Sequence, residues 1–440
     1  MIRAYTLPPV RFSFRGDQTR TDKLRGLQEL GPYQQLPITR PLRFGFVFPT
    51  EFRDHANTLY LALKNGIGYF KGVETVFRLR LNKDSVFPIS GFSLGTGHRP
   101  SEIAHAYTDA ILSWSAKNAP DQPDLFFVIH PKTQRFETGT AYYECKALLL
   151  QEGILSQSVT QELIDDRSQF DWSAANIALG AFAKLGGVPW VVAGDESEGD
   201  LVIGVGRSNT FDPVTRQNTQ YIAFTACFSA RGAFKFVSLA EVARSRDEYL
   251  KRLATVVDTS LEKAEHVGRN VTSLTLHVPR EMGREESDII RDAVQRRSKT
   301  QSVGVVLAKV TDESTFMAVD EQFADGVPRR GTVIQVSDRD YVLYTEGRDE
   351  KEQWRTRAPG AVRVTPQRSL LSRLQASRLL RQVNDLSQVN WRGFNARSRP
   401  ISVAYGHLIA RILSHVPPAT VHSLYQQRAR EILEERMWFL

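Results

Sequence analysis

YYECKALLLQEGILSQSVTQEL (142–163) and, after a short polar link, NIALGAFAKLGGVPW (176–190) form the stretch on which the reading of the chain turns. Both halves carry the spacing of amphipathic helices. Between them, Ile154-Leu155-Ser156-Gln157 predicts a short strand or turn. Four polar residues stand out among good helix formers: Tyr142, Lys146, Gln157 and Lys184. The set makes a poor catalytic site and a good candidate for holding an anion. For the lysines alone, solvated helix charge is the competing reading.

Outward from this stretch, the 440-residue chain is long enough for two domains. It is 41% hydrophobic and 24% charged, a globular and not a disordered composition. A formal charge of +8 is dilute over this length and points only generally to a polyanionic or acidic partner. Cys145 and Cys227 lie in apolar surroundings and predict buried free thiols, not a disulfide scaffold. With no long apolar run and no secretory-type N-terminus, the expectation is a soluble cytoplasmic protein.

Residues 1–40 are basic and punctuated by proline, and read as an arm that packs on a later domain or on a partner. Residues 41–194 alternate strands and helices. Strands are predicted at Leu42–Phe48, Val73–Leu79 and Leu125–Ile129, and helices at Asp54–Leu63 and Ser101–Lys117. This is the order of an α/β layer built on a parallel sheet. His130 stands at the exit of a central strand, where such sheets bind ligands; a core or capping histidine is the alternative. The acidic run Gly194–Asp200 marks the domain boundary.

Residues 195–440 open with a strand at Leu201–Val205 and a hairpin, Tyr221–Phe228 with Ala233–Leu239. A long helix (Ser245–His266), a strand (Val271–Val278), a helix (Glu285–Arg297) and a strand (Val303–Val310) follow. That order is the one of a ribonuclease-H-type α/β domain. Further strands are expected at Phe316–Val319, Gly331–Val336, Tyr341–Tyr344 and Val362–Val364, and helices near Leu370–Val383, Ser402–Leu413 and Val421–Glu435. Gly204-x-Gly206 leads into another strand, so it fails as a dinucleotide fingerprint.

The run Tyr142…Lys146…Ser156-Gln157…Asn176…Lys184-Leu185-Gly186-Gly187-x-Pro189-Trp190 resembles the MID segment of Argonaute proteins, and Leu201–Gly206 with Val271–Val278 resembles parts of a PIWI domain. The length leaves no space for N and PAZ domains, so the chain resembles a short prokaryotic Argonaute. The implied fold is α/β, a Rossmann-like MID domain (41–194) followed by an RNase H-like PIWI domain (195–440). The resemblance implies that Tyr142, Lys146, Gln157 and Lys184 hold the 5′ phosphate of a small guide, with the Leu440 carboxylate reaching the same phosphate through Mg²⁺ or Mn²⁺.

A cutting PIWI domain needs carboxylates to hold two metal ions. Where the first acid belongs, in a G-x-Asp pattern, this chain has Gly204-Val205-Gly206; where a His-x-Asp-Gly-like turn belongs, it has His277-Val278-Pro279-Arg280. Asp200 lies about 20 Å along a strand from position 206 and does not substitute. Arg207, Arg280 and Arg392 suit backbone phosphates. Arg291, Arg296, Arg297, Lys299, Arg363, Arg368, Arg373, Arg378 and Arg381 supply a basic channel. The expectation is therefore a binder without catalytic residues. It would sense complementary single-stranded DNA through a small RNA guide. The resemblance to short Argonautes implies that it would then activate a partner carrying an APAZ region fused to a Sir2, TIR or nuclease effector, in defence against plasmids or phages, with higher-order assembly on activation. The competing readings are an active guide-directed endonuclease and a scaffold independent of nucleic acid.

Overall fold

The computed structural model describes residues 3–38, 40–94, 99–118, 121–131, 141–194, 200–212, 215–267, 273–279, 282–300, 304–313, 315–348, 360–366, 373–416 and 421–440. The chain forms two compact units. One comprises residues 13–190, 391–394 and 411–440; the other comprises residues 1–12, 191–390 and 395–410. Residues 13–40 and 411–440 group with the 41–190 region.

The first of these units is built on a four-stranded parallel sheet in the order Val86–Ile89, Phe44–Val47, Leu125–His130, Ser156–Thr160. Its central strands are apolar on both sides, as a covered parallel sheet requires. Val47, Phe126 and Val128 pack against Tyr107, Ile111, Cys145 and Leu149. On the opposite side Phe127 lies against Phe44 and Phe46, at ring separations of 5.9 and 5.0 Å. Helices Arg53–Asn65, Pro100–Lys117, Ala141–Gln151 and Arg167–Lys184 belong to this unit. The last begins where the Asp166 side chain accepts from the Gln169 N–H and ends in a turn at Gly186, whose φ of 95° favours glycine.

Val73–Leu79 is not a strand. Gly72–Phe77 is a helix, and Val73, Val76 and Phe77 bury at a spacing of three and four. The apolar run has the period of a helix face, and alternation was the wrong template. The strand at Val86–Ile89 was not expected; Pro88 interrupts its pattern and confines it to the sheet edge. The tail consists of a 3-10 turn, Val421–Tyr425, and a helix, Gln427–Glu435, in place of one continuous helix. After it, Met437, Trp438, Phe439 and Leu440 are all buried. The Trp438 indole N–H donates to the Leu433 carbonyl at 3.0 Å, and the Arg436 guanidinium donates to the Leu185 carbonyl at 2.9 Å.

The second unit holds a nine-stranded sheet. Its middle is parallel: Asp200–Asp212, Ser273–Val278 and Gly304–Asp312 lie side by side. Gln217–Ser229 and Phe234–Leu239 extend it as an antiparallel meander on one flank. Ala361–Pro366, Tyr341–Tyr344, Thr332–Gln335 and finally Arg3–Thr6 extend it on the other. The start of the expected arm is therefore an edge strand. Helices Arg246–Val267 and Arg284–Thr300 cover one face through Leu253, Val257, Leu261, Ile290 and Val294. Leu379, Leu380, Val383 and Val403 pack on the side that presents Ala308, Val310 and Val364. The strand from Asp200 runs without a break through Gly206 to Asp212, which excludes a phosphate loop at Gly204-x-Gly206. Phe316–Val319 is not a strand. Phe316, Met317 and Val319 are exposed, and the Glu313 side chain accepts from the Phe316 N–H in a local turn. Among the described residues, no helix is long and apolar enough to cross a membrane.

Candidate functional site

Five of the residues singled out from the sequence converge in one unit. Tyr142 and Lys146 are one turn apart on the Ala141–Gln151 helix, and the Lys146 ammonium sits 5.6 Å from the Tyr142 ring centre. Lys146 is buried, and its Nζ donates to the main-chain oxygen of Leu440 at 2.9 Å. Lys184, at the end of the Arg167–Lys184 helix, has no exposed surface. Its Nζ donates to the Ser156 carbonyl at 2.8 Å and to Gln157 Oε1 at 2.7 Å. Gln157 lies in the Ser156–Thr160 strand at the edge of the parallel sheet, and Gly180 leaves space for its amide: a Cβ there would stand 3.3 Å from Gln157 Oε1.

The electrostatics are unusual. Burial, then the charge of neighbouring Lys146, then that of Arg392, hold the Lys184 pKa well below the usual lysine range. Among the described residues, neither lysine has an ion pair to an Asp or Glu side chain; they donate to oxygens of Ser156, Gln157, Tyr142 and Leu440. Charge on two adjacent buried lysines costs folding free energy, and either loss of the Lys184 proton or a bound anion relieves that cost. The arrangement has the charge and the size to take a compact anion. Among the described residues it contains no nucleophile paired with a base. Arg392, expected at the backbone, acts electrostatically on this same pocket.

His130 is a buried strand residue. Its Nδ1 lies 3.0 Å from the Pro131 carbonyl, and burial lowers its pKa. Its ring centre is 6.1 Å from that of Tyr142. Cys145 and Cys227 are buried free thiols, and burial pushes the Cys145 pKa up to about 12.

In the other unit, position 206 is closed. A Cβ on Gly206 would meet the Phe224 ring at 2.3 Å, and one on Gly204 would meet the Ser402 carbonyl oxygen at 1.9 Å. His277, in register with Gly204, is fully buried with Nδ1 2.7 Å from Ser402 Oγ, and burial lowers its pKa to about 3. Asp200 is also buried and is bonded by Ser273 and Arg378. Among the described residues, no three His, Cys, Asp or Glu side chains stand together as a metal site.

Arg207 is turned to Glu286, 2.7 Å away. Glu286 also accepts from Tyr249 and the Gly283 N–H at 2.7 Å each, and from Arg246 at 3.4 Å. Burial opposes the Glu286 charge, but the bonds from Tyr249, Gly283, Arg246 and Arg207 outweigh it and lower its pKa. Several distal arginines are likewise engaged: Arg291 with Asp288, Arg296 with Asp258, Arg363 with Glu313, Arg378 with Asp200 and Arg381 with Asp385. Arg280, Glu281 and Arg368 lie outside the described residues, as do the side chains of Arg297, Lys299 and Arg373. The Glu286 cluster and the His277–Ser402 pair carried no sequence signal, because their members are brought together by tertiary structure alone.

A model of the Piwi domain matches residues 126–416. The chain is 24% identical over 321 residues to a Piwi protein of Archaeoglobus fulgidus, covering 68% of this chain and 71% of that one. It is 19% identical over 437 residues to a protein argonaute of Cereibacter sphaeroides, covering 93% of this chain and 56% of that one. Among solved structures, Clostridium butyricum Argonaute bound to a guide DNA (5′ deoxycytidine) and a 19-mer target DNA superposes with a TM-score of 0.67 at 15% identity, covering 94% of this chain and 53% of that one. Drosophila Piwi superposes with a TM-score of 0.68 at 15% identity, covering 99% and 56%. The chain thus spans little more than half the length of the Cereibacter protein and of both solved structures. At this identity the structural likeness concerns the fold.

Proposed function

Since the chain belongs to the Argonaute/Piwi family, we propose that it is a guide-directed nucleic-acid sensor whose Lys146–Lys184 pocket grips the 5′ phosphate of a small guide. The observation that carries this reading is the pair of buried lysine side chains whose charges oppose each other and which, among the described residues, have no acidic side-chain partner. A terminal phosphate carries close to two negative charges and matches them. Tyr142 presents a ring on which the first base stacks, and Gln157 supplies an amide at the rim. In this reading the unit around the parallel sheet is the Rossmann-like MID domain, and the nine-stranded unit is the RNase H-like PIWI domain.

The donor chemistry fits a Mg²⁺ or Mn²⁺ ion of the kind held by one carboxylate together with phosphate oxygens. A Leu440 carboxylate would be that ligand, since the main-chain oxygen of this residue already faces Lys146. Such an ion would offset the repulsion between carboxylate and phosphate. The chain's own part is to hold the phosphate, order the first base and exclude water.

Binding without cleavage follows in this proposal from position 206. The glycine there is packed against Phe224, and Ser402 fills the space beside Gly204. The guide is RNA, the target is complementary single-stranded DNA, and base pairing supplies the sequence specificity. The signal passes to a partner with an APAZ region and a Sir2, TIR or nuclease effector, in defence against plasmids or phages in the cytoplasm.

The test is a comparison of guides that differ only at the 5′ end. Lys146→Ala and Lys184→Ala should each weaken a 5′-phosphorylated guide by about tenfold or more and leave a 5′-hydroxyl guide nearly unchanged. Equal loss for both guides would sink the pocket assignment. Cleavage of a complementary target by the purified chain with Mg²⁺ or Mn²⁺ would sink the non-cutting assignment.

A further inference from the structure

We infer that the nine-stranded unit carries a second anion site, in which Arg284 and Lys309 hold a phosphate group. This site is separate from the Lys146–Lys184 pocket and does not depend on it.

The first observation is a break in alternation. In the Gly304–Asp312 strand, Val305 and Leu307 pack with Ile290, Ala293 and Val294 of the helical layer, whereas Val306, Ala308 and Val310 pack on the opposite side. Lys309 continues the Val305–Leu307 series. An ammonium therefore stands where the pattern calls for an apolar side chain. Lys309 is in register with Val278, the last residue of the parallel neighbour. That places it at the carboxyl end of the parallel strands, the side on which open α/β sheets take ligands.

The second observation is a cavity. Lys309 lines a space of about 470 Å³ with Arg284, Ser287, Asp288 and Arg291. This is the size of a small-molecule site.

Charge then selects the ligand. Asp288 is engaged by Arg291. Glu286 is occupied by Arg207, Arg246, Tyr249 and the Gly283 N–H. Among the described residues, Arg284 and Lys309 have no ion pair, so these two positive charges stand without a described acidic partner at the cavity. The Gly283 N–H is spent on Glu286, and the site is thus made by side chains. A guanidinium fork beside an ammonium point charge suits tetrahedral phosphate oxygens. The phosphate belongs either to the backbone of a bound strand or to a free small molecule, and the two sources separate by experiment.

The experiment uses the full chain with Lys309→Met, Arg284→Gln and the double variant. A 5′-hydroxyl single-stranded oligonucleotide avoids the terminal-phosphate pocket. If the site takes strand phosphates, the double variant lowers the salt slope of binding by about 1.4. Going from about 50 to about 200 mM salt then weakens the unaltered chain by roughly sevenfold more than the double variant. If the site takes a free phosphate compound, the slope stays the same, but inorganic phosphate raises the melting temperature of the unaltered chain and not that of the double variant. Either result supports the site. An unchanged slope together with an unchanged phosphate response overturns it. Lys309→Arg should restore whichever response is lost. Should Lys309→Met fail to fold, Arg284→Gln at the exposed start of its helix decides alone, by half the slope change or by loss of the phosphate response. Discrimination between 5′-phosphate and 5′-hydroxyl guides is read on the same variants and should persist throughout, so failure of this site and failure of the guide pocket are distinguishable.

Discussion

Lys146 and Leu440 lie 294 positions apart, and the lysine ammonium donates to the leucine main-chain oxygen at 2.9 Å. One member of the anion pocket is therefore delivered by the tail of the sequence. The tail is fixed by its own packing, chiefly the buried Trp438 and its bond to the Leu433 carbonyl.

Trp438→Ala should accordingly act at a distance. It removes a fully buried indole and should destabilise its unit by about 3–5 kcal/mol. The preference for a 5′-phosphorylated guide should fall as well, although both lysines remain. Denaturant unfolding and guide titration on the same preparation check both effects. A destabilised variant with undiminished preference would disconnect the tail from the pocket.

Guide binding should be coupled to protons. The Lys184 pKa is depressed by burial first and by Lys146 and Arg392 next. An unfolded chain keeps this lysine protonated up to its ordinary pKa, whereas the folded chain without a ligand releases the proton earlier. The penalty from Lys184 is thus full below its folded pKa and fades as pH rises toward the ordinary lysine value. A phosphate favours the charged form and reverses the shift. Calorimetry in buffers of different ionisation enthalpy should show proton uptake on binding of a 5′-phosphorylated guide, and Lys184→Met should abolish that uptake.

Glu286 should tie the start of the Arg284–Thr300 helix to its surroundings. Glu286→Ala leaves the partly exposed Arg207 and Arg246 without their shared carboxylate and Tyr249 without its acceptor, and should cost about 1–3 kcal/mol. Tyr249→Phe removes one of the donors and should cost about 1–2 kcal/mol. The sign with pH follows from the lowered carboxylate pKa. The contribution is complete above the unfolded carboxylate pKa and disappears as pH falls through the folded one. Urea midpoints across that range give the measurement.

His277 should make the fold sensitive to acid in a different window. Its folded pKa is about 3, against an unfolded value near 6.5. Between these values the unfolded chain takes up a proton that the folded chain refuses, so stability falls on acidification by at most about 1.4 kcal/mol per pH unit from this group. His277→Asn, which keeps a polar atom for Ser402, should flatten that part of the stability–pH curve.

Introducing an acid at position 206 should damage the fold. Gly206→Asp sets a Cβ 2.3 Å from the Phe224 ring, itself buried, and places a carboxylate in the same tight space. A loss of roughly 2–4 kcal/mol is expected. Pairing it with Phe224→Ala should recover part of the loss, which a double-mutant cycle measures.

Much of the architecture was legible because periodicity is local. Leu125–His130 reads as a covered strand from its apolar run, and the strand–hairpin–helix–strand order of the larger sheet follows from turns and helix spacing. Val73–Leu79 was misread because three apolar residues at helical spacing also look β-prone in a short window. Phe316–Val319 was misread because propensity cannot show whether a neighbouring strand exists to pair with. The lysines of the pocket stood out as polar residues in apolar helices, but their opposition could not be read from spacing, since it depends on where Ser156–Thr160 and the tail are placed. Arginine counts misled for a related reason: Arg291, Arg296, Arg363, Arg378 and Arg381 each stand beside an acid.

The glycines at 204 and 206 also constrain descent. A main-chain oxygen of Ser402 fills the space beside the first, and the Phe224 ring fills the space beside the second. A lineage in this state cannot accept a larger residue at either place as a single favourable step. At 206 the ring has to shrink first, and at 204 a backbone has to shift. The order of mutations is thereby imposed by packing, and placing an acid at 206 asks for movement of the Phe224 ring besides the one change that the alphabet suggests.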